Sequence, residues 1–181
     1  MKFTYWTLLL IALVACKETP KTQSEAQPEA LEEAEVAIAE VESAIPSFDF
    51  DSFSEEYLHK ENDTTYVVNF WATWCKPCVK ELPYFEQVHA ENLDKPLKVV
   101  LVSLDFPDKV NDLVLPFIEK KGLKSEVVLL NDDDHNRWIP LVSDKWSGAI
   151  PATVVVKNGQ AVFKEGSHTY ESLQTDIQSI L

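Results

Sequence analysis

The sequence predicts a mixed α/β domain in which helices flank a central sheet that ends in an antiparallel edge. The run Leu97–Leu104 is apolar except for Lys98 and Ser103, and we interpret it as a strand buried on both faces of a sheet. Asn158-Gly159 separates two short strand-like segments and favours a two-residue hairpin of type I′. Strand and helix patterns otherwise alternate along the chain, which is the order found in α/β folds.

The elements follow in order within the predicted globular domain, residues 48–181. Phe48–Asp51 is predicted as a short strand, and Ser52–Lys60 as a helix that Ser52 or Ser54 caps. The remaining predicted elements are a strand at Tyr66–Phe70, a helix at Val79–His89, the strand Leu97–Leu104, a helix at Asp108–Lys121 that Gly122 ends, a strand at Glu126–Leu130, a helix at Asn136–Trp146, the hairpin strands Ala152–Lys157 and Gln160–Lys164, and a helix at Tyr170–Leu181.

The start of the chain has the pattern of an export signal. Met1-Lys2 is basic, and the apolar stretch Tyr5–Ala15 is too short to span a bilayer but suits the core of a signal peptide. Leu13-Val14-Ala15-Cys16 resembles a bacterial lipobox, which implies a signal peptide at residues 1–15 and a lipid on Cys16. An ordinary secretory signal that happens to precede a cysteine is the alternative.

Residues 16–47 are predicted to form an acidic tether. Residues 17–47 hold eight glutamates against two lysines, and the net charge of the whole chain is −14. This acidity argues against nucleic-acid binding, which requires a basic surface. Apolar residues within Glu29–Ala44 recur at coiled-coil spacing, but two heptads are fewer than such a prediction needs. A solvated, partly helical spacer and a monomeric protein are therefore favoured over a coiled-coil dimer.

Cys75-Lys76-Pro77-Cys78 lies where a predicted strand is followed by a predicted helix. A thiol at a helix N-terminus is stabilised as the thiolate, which is the form that attacks disulfides, and a second cysteine one turn later can resolve the mixed disulfide. A zinc site would need two more ligands, and His135 and His168 are isolated, so no metal is expected. The alternative of another class is a copper chaperone or other binding protein that uses the two thiols and a distant histidine.

These residues also carry a family resemblance. Trp71-Ala72-Thr73-Trp74-Cys75-Lys76-Pro77-Cys78 resembles the active-site signature of the thioredoxin superfamily. Asn69–Cys75 and Cys78–Pro83 resemble, more narrowly, the TlpA/ResA branch of membrane-anchored extracytoplasmic thiol–disulfide oxidoreductases. The resemblance implies a thioredoxin-like fold with one extra α–β pair at about residues 108–130.

The same resemblance implies the partners and the location. It implies a lipid-anchored enzyme with its domain in the periplasm, which reduces envelope proteins such as apocytochrome c and is itself reduced by a membrane thiol donor. No cofactor is expected beyond the redox-active Cys75–Cys78 disulfide.

Three residues are predicted to be catalytic. Cys75 is the nucleophile and Cys78 the resolving thiol. Glu81 lies one helical turn beyond Cys78, where a buried carboxylate would exchange a proton with that thiol. Spacing alone favours an exposed glutamate, whereas the resemblance implies a functional carboxylate at this position.

Further residues are predicted to meet the substrate or to fill the core. The resemblance makes Pro151 a cis-proline beside the disulfide, which leaves the backbone of Ile150 free to pair with an extended substrate. Trp74 is expected at the surface, with Lys76 and Pro77 between the thiols. Trp71 could be core or docking surface. Two tryptophans, Trp138 and Trp146, are expected in the core or as cleft walls. The four histidines are expected at the surface: His59, His89, His135 and His168.

Overall fold

The structure of the protein is a computed structural model that describes residues 45–181. The predicted signal peptide, Cys16 and nearly all of the predicted tether lie outside the described residues. Within residues 45–181, no helix is long and apolar enough to cross a membrane.

Six strands and five helices make up this part of the chain. They are, in order, β1 (Ser47–Phe48), α1 (Phe50–Phe53, continued by a π-helical turn at Ser54–Leu58), β2 (Thr65–Trp71), α2 (Lys76–Glu91), β3 (Leu97–Ser103), α3 (Leu115–Lys121), β4 (Glu126–Leu130), α4 (His135–Val142), β5 (Ala152–Lys157), β6 (Gln160–Glu165) and α5 (Tyr170–Gln178).

The strands form one mixed sheet in the order β1-β4-β3-β2-β5-β6. The first four are parallel, and β5 and β6 are antiparallel to their neighbours. The predicted α/β class with an antiparallel edge is confirmed. The predicted extra α–β pair corresponds to α3 and β4, and β4 lies between β1 and β3.

The sheet is covered by apolar layers on both faces. Alternate residues of β2 face opposite layers: Val67 and Trp71 pack beneath α2, α3 and α5, whereas Val68 and Phe70 pack against α1 and α4. Asn69 has the same parity as Val67 and Trp71. Its side chain therefore lies beneath α2, among apolar neighbours.

The first helix begins earlier than the sequence predicted. Asp49, and neither Ser52 nor Ser54, is the N-cap of α1, and its carboxylate accepts a hydrogen bond from the Ser52 N–H at 2.9 Å. The strand prediction Phe48–Asp51 is therefore too long, since β1 ends at Phe48. In the helix that starts at Phe50, both Phe50 and Phe53 lie in the core.

Three other helices are shorter than predicted, of which α5 differs least, since it ends at Gln178 and not at Leu181. The segment before Leu115 forms a 3₁₀ turn (Pro107–Lys109) and a π-helical turn (Val110–Val114), and regular α-helix follows only from there. Pro116, in the first turn of α3, has no N–H with which to continue an α-helix from the preceding turn. The helix that was predicted to reach Trp146 ends at Val142, where Ser143 becomes extended.

The turn signals are confirmed. Gly122 adopts a left-handed conformation (φ 66°) at the end of α3. Asn158 and Gly159 both have positive φ, 49° and 77°, as a type I′ turn between β5 and β6 requires.

Candidate active site

The two cysteines lie at the start of α2, joined as a disulfide. The chain leaves β2 at Trp71 and turns back so that the Cys75 N–H donates to the Ala72 carbonyl at 3.1 Å. Cys75 is the N-cap of the helix, and its sulfur accepts a hydrogen bond from the Cys78 N–H at 3.3 Å. Pro77 fits in the first turn because its missing N–H would have no helical partner there. The backbone thus directs the Cys78 N–H at the Cys75 sulfur, at the N-terminus of the helix.

The two cysteines differ in accessibility. Cys75 has 5% of its surface exposed to solvent, whereas Cys78 is fully buried. Lys76 and Pro77 are exposed beside them, and Trp74 is 62% exposed, as the sequence predicted. Trp71, whose placement the sequence left open, is fully buried in the core. An incoming molecule therefore meets the Cys75 sulfur before that of Cys78.

The loop before β5 lies against the disulfide. The Ile150–Pro151 peptide bond is cis, as predicted, and the Ile150 carbonyl oxygen is 3.8 Å from the Cys75 sulfur. Pro151 is buried and Ile150 is half-buried. Trp146 holds the loop from behind by donating its indole N–H to the Ala149 carbonyl at 2.8 Å. Trp146 and Trp138 both lie in the core, as predicted.

A carboxylate ties the loop before Cys75 to the end of β3. Asp105 is buried, and its oxygens accept hydrogen bonds from the Thr73 N–H (2.9 Å), the Thr73 hydroxyl (2.6 Å) and the Ser103 hydroxyl (2.9 Å). The loop that carries Trp74 is thereby joined to the loop that follows β3. The sequence analysis did not identify Asp105, since an acidic residue after a strand more often lies at the surface.

Glu81 is buried one turn behind Cys78, with 1% of its surface exposed. The exposed glutamate that spacing alone favours is therefore wrong. One oxygen accepts a hydrogen bond from the Asn69 amide at 2.9 Å, and the other accepts from the His168 backbone N–H at 2.6 Å. Burial raises the pKa of Glu81 to about 7, against the opposing effect of these two donors and of the Lys164 charge.

Asn69 joins this carboxylate to the sheet. Its amide nitrogen also donates to the Thr153 hydroxyl at 3.1 Å, and Thr153 lies opposite Asn69 in the β2–β5 ladder. Both residues are buried. Parity on β2 indicates where Asn69 points, but the sequence alone does not show that Glu81 lies opposite it.

The prediction that His168 lies at the surface is wrong. Its side chain is buried, with Nδ1 3.0 Å from the Ser172 hydroxyl and Nε2 3.7 Å from the Asp176 carboxylate. Burial, and then the Lys164 charge, lowers the pKa of His168 to about 4, so the ring is neutral at pH 7. A histidine just before a helix has no periodic pattern to reveal its burial, which is why the sequence analysis missed it. The other three histidines are exposed or half-buried.

A surface pocket of about 320 Å³ reaches Glu81 from the side of α2 that faces the loop before α5. It is lined by Pro77, Lys80, Glu81, Tyr84, Ser167, His168 and Thr169. The pocket brings solvent close to a carboxyl group that the protein otherwise encloses. Among residues 45–181, no three histidine, cysteine, aspartate or glutamate side chains are grouped so that they could hold a metal ion.

Comparisons with known proteins show which proteins this chain is similar to. Residues 41–163 match the model of the AhpC/TSA family. The thiol-disulfide oxidoreductase ResA of Oceanobacillus iheyensis is 38% identical over 152 residues, which is 79% of this chain and 74% of that protein. The ResA of Bacillus cereus is 28% identical over 115 residues, and the match spans only 61% of that protein's length.

The fold is also similar to that of a solved structure. The thioredoxin-related protein from Neisseria meningitidis serogroup B superposes with a TM-score of 0.57 at 22% identity, over 67% of this chain and 88% of that one. At this identity the similarity concerns the fold, which is thioredoxin-like, as the sequence predicted.

Proposed function

Since the chain belongs to the AhpC/TSA family and to its ResA-type thiol–disulfide oxidoreductases, we propose that it reduces disulfides of other proteins outside the cytoplasm. The observation that carries the proposal is the Cys75–Cys78 pair at the N-terminus of α2, in which Cys75 alone keeps some accessible surface (5%) and a buried carboxyl group lies behind Cys78. Helix N–H groups and the helix dipole stabilise a thiolate at this position.

The proposed reaction moves two electrons from the dithiol to a substrate disulfide. The Cys75 thiolate attacks one substrate sulfur, which forms a mixed disulfide and releases the other substrate sulfur as a thiolate that takes up a proton. Cys78 then loses its proton and attacks the Cys75 sulfur, which releases the second substrate thiol and leaves the Cys75–Cys78 disulfide. An external dithiol restores the reduced enzyme by the reverse exchange, so no further cofactor takes part.

Glu81 is the proposed acceptor for the proton of Cys78. Cys78 is fully buried and cannot give its proton directly to water. A carboxyl group with a pKa of about 7, one helical turn away, can take a proton and return it near neutral pH. The pocket beside Lys80 and Tyr84 gives that group access to solvent.

The substrate is proposed to bind across the exposed rim of the disulfide. Ile150 presents its carbonyl oxygen next to Cys75, in the position to pair with an extended polypeptide. Trp74 supplies exposed apolar surface, and Lys76 and Pro77 lie between the thiols, where charge and stiffness influence the reduction potential.

The test separates the two cysteines. We expect Cys75→Ser to abolish reduction of insulin, because the attacking sulfur is gone. Cys78→Ser is expected to attack once and then to accumulate a mixed disulfide visible on a non-reducing gel. Full turnover by either variant would contradict the proposed mechanism.

We propose further that Cys16 anchors the protein to a bacterial envelope membrane, with the domain in the periplasm, and that apocytochrome c is among its substrates. The lipobox pattern Leu13–Cys16 supports the anchor, since two or more acyl chains give stable attachment. Wild-type protein is then expected in the membrane fraction and Cys16→Ala in the soluble fraction. Equal partition of the two would exclude a lipid on Cys16.

A further inference from the structure

Two large aromatic side chains are exposed where adjacent strands of the sheet end. Trp74 follows β2 and is 62% exposed, and Phe106 follows β3 and is 71% exposed. The two strands pair up to their last residues, Trp71 with Ser103, and the Leu104 N–H donates to the Trp71 carbonyl at 2.8 Å. The loops that carry the two aromatic residues therefore leave the sheet side by side, next to Cys75.

The two loops are also joined to each other. The Asp105 carboxylate accepts hydrogen bonds from both the N–H and the hydroxyl of Thr73. Asp105 directly precedes Phe106, and Thr73 directly precedes Trp74. Pro107 fixes the backbone after Phe106, and the Phe106 carbonyl accepts a hydrogen bond from the Lys109 N–H at 2.9 Å. A phenylalanine on a flexible loop would lose backbone entropy on binding a partner, whereas the backbone that carries Phe106 is already held by these contacts.

We propose that Phe106 and Trp74 form one apolar docking surface for the cysteine-bearing segment of the protein substrate. The inference rests on the proposed function, because a segment that reaches the Cys75 sulfur lies next to Trp74, the preceding residue, and close to the loop that Asp105 joins to Thr73. The charges of the two loops do not oppose an apolar partner: Asp105 is buried, and Asp108 pairs with Lys109 at 3.0 Å, whereas the exposed Lys76 lies beyond Cys75. The occupant that fits the exposed Trp74 and Phe106 side chains is an extended segment with apolar residues next to its cysteine.

The test uses two peptides of equal length with one internal disulfide each. In one peptide leucine residues flank a cysteine, and in the other serine residues replace them. The wild-type protein is expected to reduce the leucine peptide with the higher kcat/KM. Phe106→Ser is expected to lower the ratio of kcat/KM between the two peptides about fivefold, through KM, as is typical of truncating an aromatic anchor.

The controls separate docking from general damage. Leu93→Ser removes an equally exposed side chain (73%) at the opposite end of β3 and should leave the ratio unchanged. Phe106→Leu keeps apolar area and should retain most of the preference. A ratio that Phe106→Ser does not change, while both peptides are still reduced, would overturn the docking surface alone. A wild-type protein that reduces neither peptide would overturn the proposed function and the docking surface with it.

Discussion

At the scale of single residues, Glu81 and His168 are two buried ionisable groups in contact through one backbone hydrogen bond. Burial favours the neutral form of both groups and shifts the two pKa values in opposite directions, to about 7 for Glu81 and about 4 for His168. The neighbouring charges are Lys164, which acts on both, and Asp176, near the His168 ring. The two groups therefore make opposite contributions to the pH dependence of stability.

The signs follow from which state binds the proton. Between pH 4.5 and about 7 the unfolded chain ionises Glu81 while the folded protein keeps it protonated, so this group lowers the free energy of unfolding as pH rises. Between pH 6.5 and about 4 the unfolded chain protonates His168 while the folded protein does not, so this group lowers the free energy of unfolding as pH falls. The two effects largely cancel between pH 4.5 and 6.5.

Removing one group should reveal the other. Relative to wild type, Glu81→Gln is expected to become more stable as pH rises from 4.5 to 7, by on the order of 3 kcal/mol. Relative to wild type, His168→Gln is expected to become less stable as pH rises from about 4 to 6.5, because it lacks the group whose contribution to the free energy of unfolding increases over that range. Urea unfolding of the oxidised proteins at several pH values measures both slopes. Parallel curves for the wild type and Glu81→Gln would contradict the burial of an ionisable group at this position.

Sequence reasoning reached this site only in part. Cys75, Cys78 and Pro151 are marked by local patterns: a pair of cysteines before a helix, and a proline before a strand. Asp105 and His168 are defined by contacts with residues 32 and 87 positions away, and no local pattern encodes those contacts. The burial of Glu81 depends on the same long-range packing, which is why spacing alone favoured the wrong environment.

At the scale of elements, the loop after β3 is fastened to the start of the active-site loop by Asp105. Asp105→Ala is expected to lower the free energy of unfolding by about 2–3 kcal/mol, because it leaves the Thr73 N–H and the Ser103 hydroxyl without an acceptor in a largely buried place. Thr73→Val removes one of the bonds to the same carboxylate and should cost about 1 kcal/mol. Urea unfolding of the two variants gives the comparison. Equal losses would mean that the bond to the Thr73 backbone contributes little.

Element boundaries show where local signals suffice. The hairpin at Asn158-Gly159 and the end of α3 at Gly122 were predictable because each requires a backbone conformation that few residues adopt. The start of α1 was not, since Asp49, Ser52 and Ser54 are all acceptable caps and only burial of Phe50 selects the first. Pro116 is a local signal that regular α-helix would not run from Asp108 to Lys121, and the predicted helix does not take it into account.

At the scale of the whole molecule, one sheet separates two apolar layers, and every strand residue that faces one layer has neighbours in the same strand that face the other. Val67 and Val68 are consecutive in β2, fully buried, and face opposite layers. Val67→Ala and Val68→Ala are each expected to cost about 2–3 kcal/mol and to shift one common unfolding transition. Tryptophans lie in both layers, so fluorescence and far-UV circular dichroism should give the same midpoint. Separate midpoints in either variant would mean that the layers unfold independently.

The overall topology was predictable from the order of the elements and from the family resemblance together. The apolar run of β3 and the hairpin gave the mixed sheet, but the position of β4 between β1 and β3 came from no pattern in the chain. Strand order depends on crossovers that the elements' own sequences do not specify.

The way Glu81 is held has a consequence for protein engineering. Cysteines and carboxylate occupy a seven-residue stretch, Cys75–Glu81, short enough to graft onto the helix of another scaffold. Such a transplant would bring the thiols without the surroundings of Glu81, because Asn69 and His168 donate to it from a strand and a distant loop, and Thr153 on a second strand holds Asn69. A recipient helix would therefore present an ordinary, fully ionised glutamate, and a designer would have to rebuild the surrounding shell as well.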